Sequence, residues 1–370
     1  MKVIYPNYNK CLVNLSNSIL KYFEADCYHS SLEEVDKILK NHQYKNVVLI
    51  LNDGLGSKIL ERNLSNESFL IKHKIKDITS VFPATTIAST TSVTTGLNPI
   101  EHGWLGWYLY VKDIDKTIVT YLNTIKDTDT PAADYNVART FLPYKSVFEN
   151  INEKGKYKAY GVSPYEDVKY EFEKPDEMYK RIIELCQLEG KKFIYCYYNE
   201  PDHLMHDFGV SDDKVKNNIE YINNKIEEMC SSLKDTLVIV TADHGLIDVE
   251  HTYLVDYPSI QETLIRETSI EPRATTFFVK PNQKNTFVNE FNKYFKNDFI
   301  LLTKEEVIDK HLFGDGKENI RFNSSLGDYL AIAISNKCID DKVTSNPLKA
   351  MHAGITEDEV LVPLIIIEKK

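Results

Sequence analysis

The chain has 370 residues, 42% of them hydrophobic and 27% charged, the balance of a soluble globular protein with two domains or one large domain carrying an insertion. Its 14 glycines and 13 prolines follow no period, and no apolar run reaches the roughly 18–20 residues of a membrane span, which argues against collagen-like, low-complexity and membrane-spanning proteins. The formal net charge of −11 disfavours binding to polymeric nucleic acid or to an anionic membrane surface.

The first forty residues are typical of two helices. Apolar residues recur at helical spacing from Leu12 to Phe23, and a capping box between Ser31 and Glu34 predicts the start of the second helix. The segment has no apolar stretch followed by a small-residue cleavage site, so we expect no secretion signal and a cytoplasmic protein.

Four short apolar runs have the composition of strands that are buried on both faces of a parallel sheet. They are residues 46–51, 192–198, 236–241 and 360–367. An amphipathic helix between Val215 and Met229 separates the second run from the third. Strands alternating with helices predict an α/β fold with a mostly parallel sheet. Three of the runs end in acidic or acidic-plus-histidine sequence, and ligands of open α/β sheets bind at that carboxyl edge.

The pattern changes between residues 256 and 345, which predicts a compact α+β unit. Its predicted elements are a strand at 275–279, a helix at 285–295 and a strand at 299–302 that leads into another helix. We therefore predict a catalytic core formed by residues 1–255 and 346–370, with residues 256–345 inserted as a cap.

Aspartate and histidine residues lie near the ends of the predicted strands. They are Asp53, Asp202, His206, Asp243, His244 and His352. A spacing of four places Asp202 and His206 on one face of a helical turn, and Asp243 and His244 adjoin in a tight turn closed by Gly245. Three carboxylates and three imidazoles are a ligand set suited to zinc or manganese.

Each of these residues also has an ordinary structural interpretation. Asp53 before a glycine is typical of a turn, Asp202 after a proline is typical of a helix cap, and a single His352 is typical of a hydrogen-bonded histidine. Four such features at one predicted edge of the sheet nevertheless favour a metal site.

Hydroxyl side chains fill half of the segment from Val81 to Gly96. The segment is compatible with a threonine-rich strand or an ordinary helix start. It also fits a metal-activated hydroxyl at a helix N-terminus, where free N–H groups attract phosphate. The six cysteines, in contrast, are scattered and form no CxxC pair, so we expect reduced, mostly buried thiols with no chemical role.

Taken together, the motifs resemble the alkaline phosphatase superfamily, and within it the type I phosphodiesterase/nucleotide pyrophosphatase branch, over nearly the whole chain. They are Asn-Asp-Gly at 52–54, Phe-Pro-Ala-Thr-Thr at 82–86, Thr-Gly-Leu-Asn-Pro-Ile-Glu-His-Gly at 95–103, Glu-Pro-Asp-His-Leu-Met-His at 200–206, Thr-Ala-Asp-His-Gly at 241–245 and His-Ala-Gly at 352–354. The segment 352–363 is also similar to the phosphoglycerate mutase-like members. The resemblance implies a three-layer α/β sandwich with a mostly parallel central sheet and an inserted α+β cap.

The resemblance also implies two divalent metal ions per chain, zinc or manganese. One ion would be bound by Asp202, His206 and His352. The other would be bound by the remaining ligands together with the nucleophile, namely Asp53, Asp243, His244 and Thr86. Thr86 is the implied nucleophile, with Thr85 as the alternative if the motif is shifted by one residue.

Three residues are implied substrate contacts. Tyr197 matches a tyrosine that stacks on a base in extracellular nucleotide pyrophosphatases, whereas Trp107 and Ile87 stand where those enzymes have an asparagine and an aromatic residue. Arg273 is our third candidate, for a phosphate or ribose contact, with a surface salt bridge as the alternative.

The implied activity is hydrolysis of nucleotide phosphodiesters or pyrophosphates, dinucleotides and cyclic dinucleotides included, through a phospho-threonine intermediate. The expected partner is a small phosphodiester molecule and not a nucleic-acid polymer or a membrane. A phosphomonoesterase or phosphomutase acting on a small phosphorylated metabolite is an alternative, and a non-catalytic metal-dependent binding protein is another. The sequence makes no prediction of oligomeric state.

Overall fold

The computed structural model describes residues 1–164, 170–172 and 174–370. Helices α1 to α16 are Leu12–Tyr22, Glu33–Asn41, Ser57–Asn63, Phe69–His73, Thr86–Thr95, Pro99–His102, Val137–Phe141, Val147–Glu153, Pro175–Gln187, Asp202–Phe208, Asp213–Ser231, Pro258–Gln261, Lys284–Phe295, Lys304–Asp309, Phe322–Ser325 and Glu357–Val360. Strands β1 to β18 are Asn46–Asn52, Lys74–Thr79, Tyr108–Val111, Lys116–Val119, Thr124–Ile125, Lys158–Ser163, Tyr170–Glu171, Lys192–Tyr198, Thr236–Thr241, Ile247–Asp248, Glu250–Tyr253, Ser269–Glu271, Ala274–Phe277, Phe299–Thr303, Tyr329–Ala333, Lys337–Asp340, Ala350–Met351 and Leu361–Lys369. Within these described ranges, none of the helices has the length and apolar character needed to cross a bilayer.

The central sheet has seven strands in the order β2-β18-β9-β1-β8-β6-β7. The four apolar runs form β1, β8, β9 and β18, as predicted. Strand β1 pairs in parallel with β8 on one side and with β9 on the other, whereas β18 runs antiparallel to both of its neighbours. The predicted α/β fold with a mostly parallel central sheet is confirmed.

The helices cover the sheet with their apolar faces. Helix α11 buries Val215, Ile219, Ile222, Ile226 and Met229, the residues whose spacing predicts it. Helix α1 also forms where it is predicted. The capping box predicted for the second helix is wrong, because α2 begins one residue later with Leu32 as its N-cap, and the Ser31 hydroxyl donates to Asp36 instead.

A second seven-stranded sheet has the order β14-β15-β13-β12-β3-β4-β5. The strands and helix predicted for residues 275–302 form β13, α13 and β14, and phenylalanines of these elements form their own hydrophobic cluster. Strands β3 to β5 come from residues 108–125 and join this sheet where Tyr108 pairs with Ile270. The second sheet therefore combines strands from the predicted cap with strands from the predicted core, and the division at residue 256 stays a prediction.

Candidate metal centre and active site

The sheet topology brings the predicted ligands to one edge. Strands β9, β1 and β8 are neighbours and run in parallel, so the loops that carry Asp243, Asp53 and Asp202 leave the sheet side by side. Strand β18 runs in the opposite direction, so His352, which precedes it, reaches the same edge. Asp202 and His206 lie on the short helix α10 directly after β8, as predicted.

Two glycines allow the loops after β1 and β9 to approach closely. Gly54 has a φ of +72°, which favours glycine, and its N–H donates to Asp243 over 3.1 Å. Gly245 has a different role from the turn closure predicted for it. A Cβ at this position would lie 2.0 Å from the Asp358 carbonyl oxygen and 3.3 Å from the Gly56 Cα. Gly245 therefore fixes the position of His244 by letting backbone segments touch.

Asp53, Asp243, His244 and Thr86 form one group of potential ligands. His244 Nε2 lies 3.2 Å from Asp53 Oδ1, 3.6 Å from Asp243 Oδ2 and 3.1 Å from Thr86 Oγ1. The Thr86 hydroxyl is 3.4 Å from both carboxylate oxygens of Asp53. The ligand atoms of the two aspartates and the histidine all lie within 4.8 Å of one another, close enough for a single ion to contact all three residues.

Asp202, His206 and His352 form the adjoining group. His206 Nε2 lies 3.2 Å from Asp202 Oδ2, while its Nδ1 donates to the Ala350 carbonyl over 2.6 Å. The His352 ring lies 5.4 Å from the His206 ring and 3.9 Å from the His244 ring, centroid to centroid. His244 faces both groups, since it also clusters with Asp202 and His352.

Unpaired atoms in these groups fit a metal centre. Asp202 Oδ1, Asp243 Oδ2 and His352 Nδ1 are buried and have no hydrogen-bond partner in the part of the chain that the structure describes. A buried polar atom without a partner costs about 1–3 kcal/mol. Carboxylate oxygens and an imidazole nitrogen are ligand atoms for zinc and manganese, so the residues present fit the ions that the resemblance implies.

The electrostatics of the site depend on its three carboxylates. Burial and the neighbouring Asp53 raise the pKa of Asp243 well above its ordinary value. Burial alone would lower the pKa of His244, but Asp243 and Asp53 outweigh it and raise that pKa to about 10. Asp202 similarly outweighs burial and raises the pKa of His206 to about 9. The protein alone thus holds protons at this site, on the two histidines and on Asp243, that cations would replace.

The two threonines of the nucleophile motif have different environments. Thr86 is the first residue of helix α5 and lies with the ligands. Thr85 is the N-cap residue, is fully buried, and donates its hydroxyl to Glu271 over 2.6 Å. The geometry therefore places Thr86, and not the alternative Thr85, at the candidate metal centre.

The three residues predicted to contact substrate, Tyr197, Trp107 and Arg273, have different environments in the structure. The Tyr197 ring is buried, and its hydroxyl donates to Asp53 Oδ2. Trp107 is partly exposed, lies 6.4 Å from the Tyr121 ring and donates its backbone N–H to Glu271. The surroundings of Arg273 do not favour the predicted substrate contact, because this side chain is fully buried and its nitrogens donate to Glu359 and to backbone carbonyls.

Glu271 is a residue of the site that sequence reasoning missed. Its Oε1 accepts hydrogen bonds from the Thr85 hydroxyl and from the Trp107 N–H, so it joins the second sheet to the nucleophile loop. Burial outweighs these hydrogen bonds and raises the pKa of Glu271 to about 7. No sequence signal marks it, because it lies 186 residues from Thr85 and belongs to none of the motifs.

Comparisons with known proteins give a family and a fold. A model of the family described as type I phosphodiesterase / nucleotide pyrophosphatase matches residues 47–333. A search of curated proteins finds no match. Among solved structures, murine ectonucleotide pyrophosphatase / phosphodiesterase 5 is 16% identical, covers 86% of this chain and 87% of its own, and gives a TM-score of 0.66. An inactive form of that protein in complex with AMP gives a TM-score of 0.64 at the same identity and coverage.

A second solved neighbour was determined with a phosphonate ligand. Phosphonoacetate hydrolase from Sinorhizobium meliloti 1021, in complex with phosphonoformate, is 14% identical, covers 86% of this chain and 89% of its own, and gives a TM-score of 0.64. At these identities the structural matches show the fold, and the predicted alkaline-phosphatase-like α/β architecture is confirmed.

Proposed function

The chain belongs to the type I phosphodiesterase / nucleotide pyrophosphatase family, and from this premise we propose that it hydrolyses nucleotide phosphodiesters or pyrophosphates through a phospho-threonine intermediate on Thr86. Dinucleotides and cyclic dinucleotides are included in the proposed substrate class. The observation that carries the proposal is the Thr86 hydroxyl, 3.4 Å from both oxygens of Asp53 and 3.1 Å from His244, at the start of helix α5.

The proposed cofactor is a pair of zinc or manganese ions held by the two ligand groups. Asp202, His206 and His352 would hold one ion, and the other ligands are Asp53, Asp243, His244 and Thr86. Such ions would supply positive charge that polarises the phosphoryl group and activates the attacking hydroxyl. Two divalent ions against three carboxylates and a threonine alkoxide give a nearly neutral site, which an anionic diester can enter despite the net charge of −11.

The protein's own groups then act in two steps. Thr86 Oγ1 forms a bond to phosphorus while the bond to the leaving oxygen breaks, and water afterwards cleaves the Thr86–phosphate bond. The first N–H groups of helix α5, which have no acceptor within the helix, would donate to the phosphoryl oxygens. Tyr197 orients Asp53 through its hydroxyl, and Glu271 orients the loop that precedes Thr86.

The hydrogen-bond partners of Arg273 favour a diester substrate over the alternative phosphomonoester. A dianionic monoester requires additional cationic contacts. Arg273 is the one cation that we predicted to contact substrate, and its guanidinium is committed to Glu359 and to backbone carbonyls. The AMP complex of the murine neighbour supports the nucleotide part of the proposal.

The test compares bis-p-nitrophenyl phosphate with p-nitrophenyl phosphate in the presence of zinc or manganese. We expect faster cleavage of the diester and loss of turnover in the Thr86→Ala variant. Thr94→Ala is the matched control, because Thr94 lies on the same helix and its hydroxyl bonds to that helix's own backbone. Faster cleavage of the monoester, or an unchanged rate in Thr86→Ala, would contradict the proposal. Metal-dependent ligand binding without turnover in the unmodified protein would favour the binding-protein alternative.

A further inference from the structure

A cluster of three potential ligands lies on a two-stranded parallel sheet outside the catalytic site. His251 Nδ1 is 2.7 Å from Asp340 Oδ2 and 3.4 Å from Cys338 Sγ, and the sulfur is 3.8 Å from the same carboxylate oxygen. The cysteines are otherwise as predicted, since all six are free and all but Cys27 are buried. Cys338 is distinguished by its contact with a histidine 87 residues away in the sequence.

We propose that His251, Cys338 and Asp340 bind a further divalent metal ion, most favourably zinc, that is separate from the proposed catalytic pair. Zinc binds sulfur at about 2.3 Å and nitrogen or oxygen at about 2.0 Å in tetrahedral sites, which places pairs of ligand atoms about 3.3–3.6 Å apart. The two separations that involve sulfur are within a few tenths of an ångström of this range. The nitrogen–oxygen pair would open slightly as the ion replaces the proton between them.

The backbone holds these side chains in a fixed arrangement. Strands β11 and β16 pair in parallel, and His251 stands directly opposite Cys338 in the register. Asp340 follows Cys338 by two residues, so both side chains leave the same face of β16. Ligands on paired strands are positioned more rigidly than ligands on loops.

The ring nitrogen of His251 that points away from the cluster makes a hydrogen bond of the kind that metal-bound histidines typically make. Its Nε2 donates to the Leu348 carbonyl over 2.7 Å, which fixes the ring and directs Nδ1 towards Cys338 and Asp340. The Cys338 side chain is buried, whereas the Asp340 side chain is 24% exposed. One side of the cluster therefore faces solvent, where a water molecule would complete four-coordination.

Binding of the ion would release two protons from the cluster. The His251 Nδ1–H donates to Asp340 Oδ2, and the Cys338 thiol lies beside the same ring nitrogen. A divalent ion would displace the Nδ1 proton and the thiol proton, leaving a neutral imidazole, a thiolate and a carboxylate around a charge of +2.

The position of the cluster indicates a structural role for the ion. It would fasten β11 to β16 and, through His251, hold the Leu348 carbonyl. The residues that follow form β17, and His352 comes next. The ion would thus stabilise the segment that leads to His352, one of the proposed catalytic ligands.

The test is a cobalt(II) titration of chelator-stripped protein, followed by the thiolate-to-cobalt charge-transfer absorption. The proposed catalytic ligands are carboxylates, imidazoles and a hydroxyl, so this absorption reports on a cysteine site alone and is independent of turnover. We expect the band in the unmodified protein and its loss in Cys338→Ser and in Asp340→Asn. Bound zinc, measured by elemental analysis, should fall by one ion per chain in both variants.

Matched controls separate this site from other thiols. Cys27→Ser removes the exposed thiol and Cys186→Ser removes another buried one, and both should keep the band. Circular dichroism checks that each variant is folded, and Asp340→Asn changes a partly exposed side chain in case Cys338→Ser does not fold. No band in the unmodified protein, a band that persists in Cys338→Ser, or a band lost in Cys27→Ser would each overturn the proposal.

Discussion

Asp53 is oriented by a tyrosine that approaches it from the neighbouring strand. The Tyr197 hydroxyl donates to Asp53 Oδ2, leaving Oδ1 for His244 and for an ion. Groups that orient a metal ligand typically contribute about 10–100-fold to metal affinity or activity. We expect Tyr197→Phe to weaken zinc binding or the diesterase rate by about this factor, as measured by metal titration and initial rates.

The matched control for this variant is Tyr179→Phe. Tyr179 is also buried, but its hydroxyl has no hydrogen-bond partner among the described residues. Its removal should leave both measurements unchanged. Equal effects of the two substitutions would show that Tyr197 acts through packing and not through Asp53.

Glu271 should make the stability of the protein fall as the pH rises. Its pKa is raised from the ordinary 4.5 to about 7, so the folded state holds a proton that the unfolded state releases between these values. This proton contributes at most about 3 kcal/mol to the free energy of unfolding. The contribution is fully present below the pKa of the unfolded state and is lost as the pH rises through the pKa of the folded state. Glu271→Gln lacks this titration and should gain stability relative to the unmodified protein between pH 5 and pH 8.

Urea denaturation of chelator-stripped protein at the two pH values measures this difference. The amide in Glu271→Gln would keep an oxygen for both the Thr85 hydroxyl and the Trp107 N–H, which makes the substitution a test of charge more than of hydrogen bonding. Other titrating groups are common to the two proteins and cancel in the comparison. A free-energy difference that stays constant with pH would contradict the raised pKa.

At the scale of elements, a buried ion pair joins the second sheet to the loop that carries His352. Arg273 follows β12 and donates to Glu359 on helix α16 over 2.6 and 2.8 Å, with both side chains fully buried. Glu359 also accepts the backbone N–H of Gly354 over 2.8 Å. The pair therefore fixes the backbone two residues after His352, a role different from the substrate contact that we predicted.

Breaking this pair should be strongly destabilising. Arg273→Met leaves Glu359 buried and unpaired, and we expect the free energy of unfolding to fall by about 3–5 kcal/mol. The double variant Arg273→Met/Glu359→Gln should be less destabilised than Arg273→Met, because no charge is then buried alone. Both values come from chemical denaturation.

An exposed pair provides the comparison for this experiment. Lys293 and Glu290 form an ion pair on helix α13 in which the lysine side chain is 58% exposed. Lys293→Met should change the free energy of unfolding by less than about 1 kcal/mol. A loss in Arg273→Met as small as that in Lys293→Met would mean that the buried pair contributes little to the fold.

The elements that could be predicted are those whose signal is local. Strands buried on both faces of a parallel sheet must be continuously apolar, so the sequence predicts β1, β8 and β9. The helical spacing of apolar residues predicts α11 in the same way. Strands β3 to β5 are short, and their membership in the second sheet depends on pairing between Tyr108 and Ile270. Pairing between residues so far apart in the sequence produces no periodic pattern of apolar residues.

The same distinction separates the candidate site residues. Asp53, Asp202 and Asp243 follow recognisable strands, so their meeting at one edge follows from the topology. The partner of Arg273 lies 86 residues away and the partner of Tyr197 lies 144 residues away. Side-chain type alone could not identify these two partners.

At the scale of the whole molecule, the loop that carries the proposed nucleophile Thr86 lies where the two sheets meet. Phe82, Ala84 and Ile87 share a hydrophobic cluster with Ile270 and with other residues of the second sheet. The ligands after β1, β8 and β9 extend from the core of the central sheet. Relative placement of the two sheets therefore determines the distance between Thr86 and its neighbouring carboxylates.

This arrangement makes stability dependent on bound cations. Ions that bind only the folded state stabilise it by about 2.7 kcal/mol at a concentration 100 times the dissociation constant. We expect the melting temperature to fall in chelator and to recover in zinc or manganese, as measured by calorimetry. Cys338→Ser should retain part of this response, because it removes only the separate site on β16.

Asp243→Asn should have opposite effects on the melting temperature with and without cations at the proposed catalytic site. Burial and Asp53 raise the pKa of Asp243, so its charge opposes folding when no cation is present. In chelator the amide variant should melt at or above the temperature of the unmodified protein, because one of three crowded carboxylates is gone. In zinc it should melt below that temperature, since it has lost a ligand. If Asp243→Asn melted lower in chelator and responded fully to zinc, the three carboxylates would not be sharing a cation site.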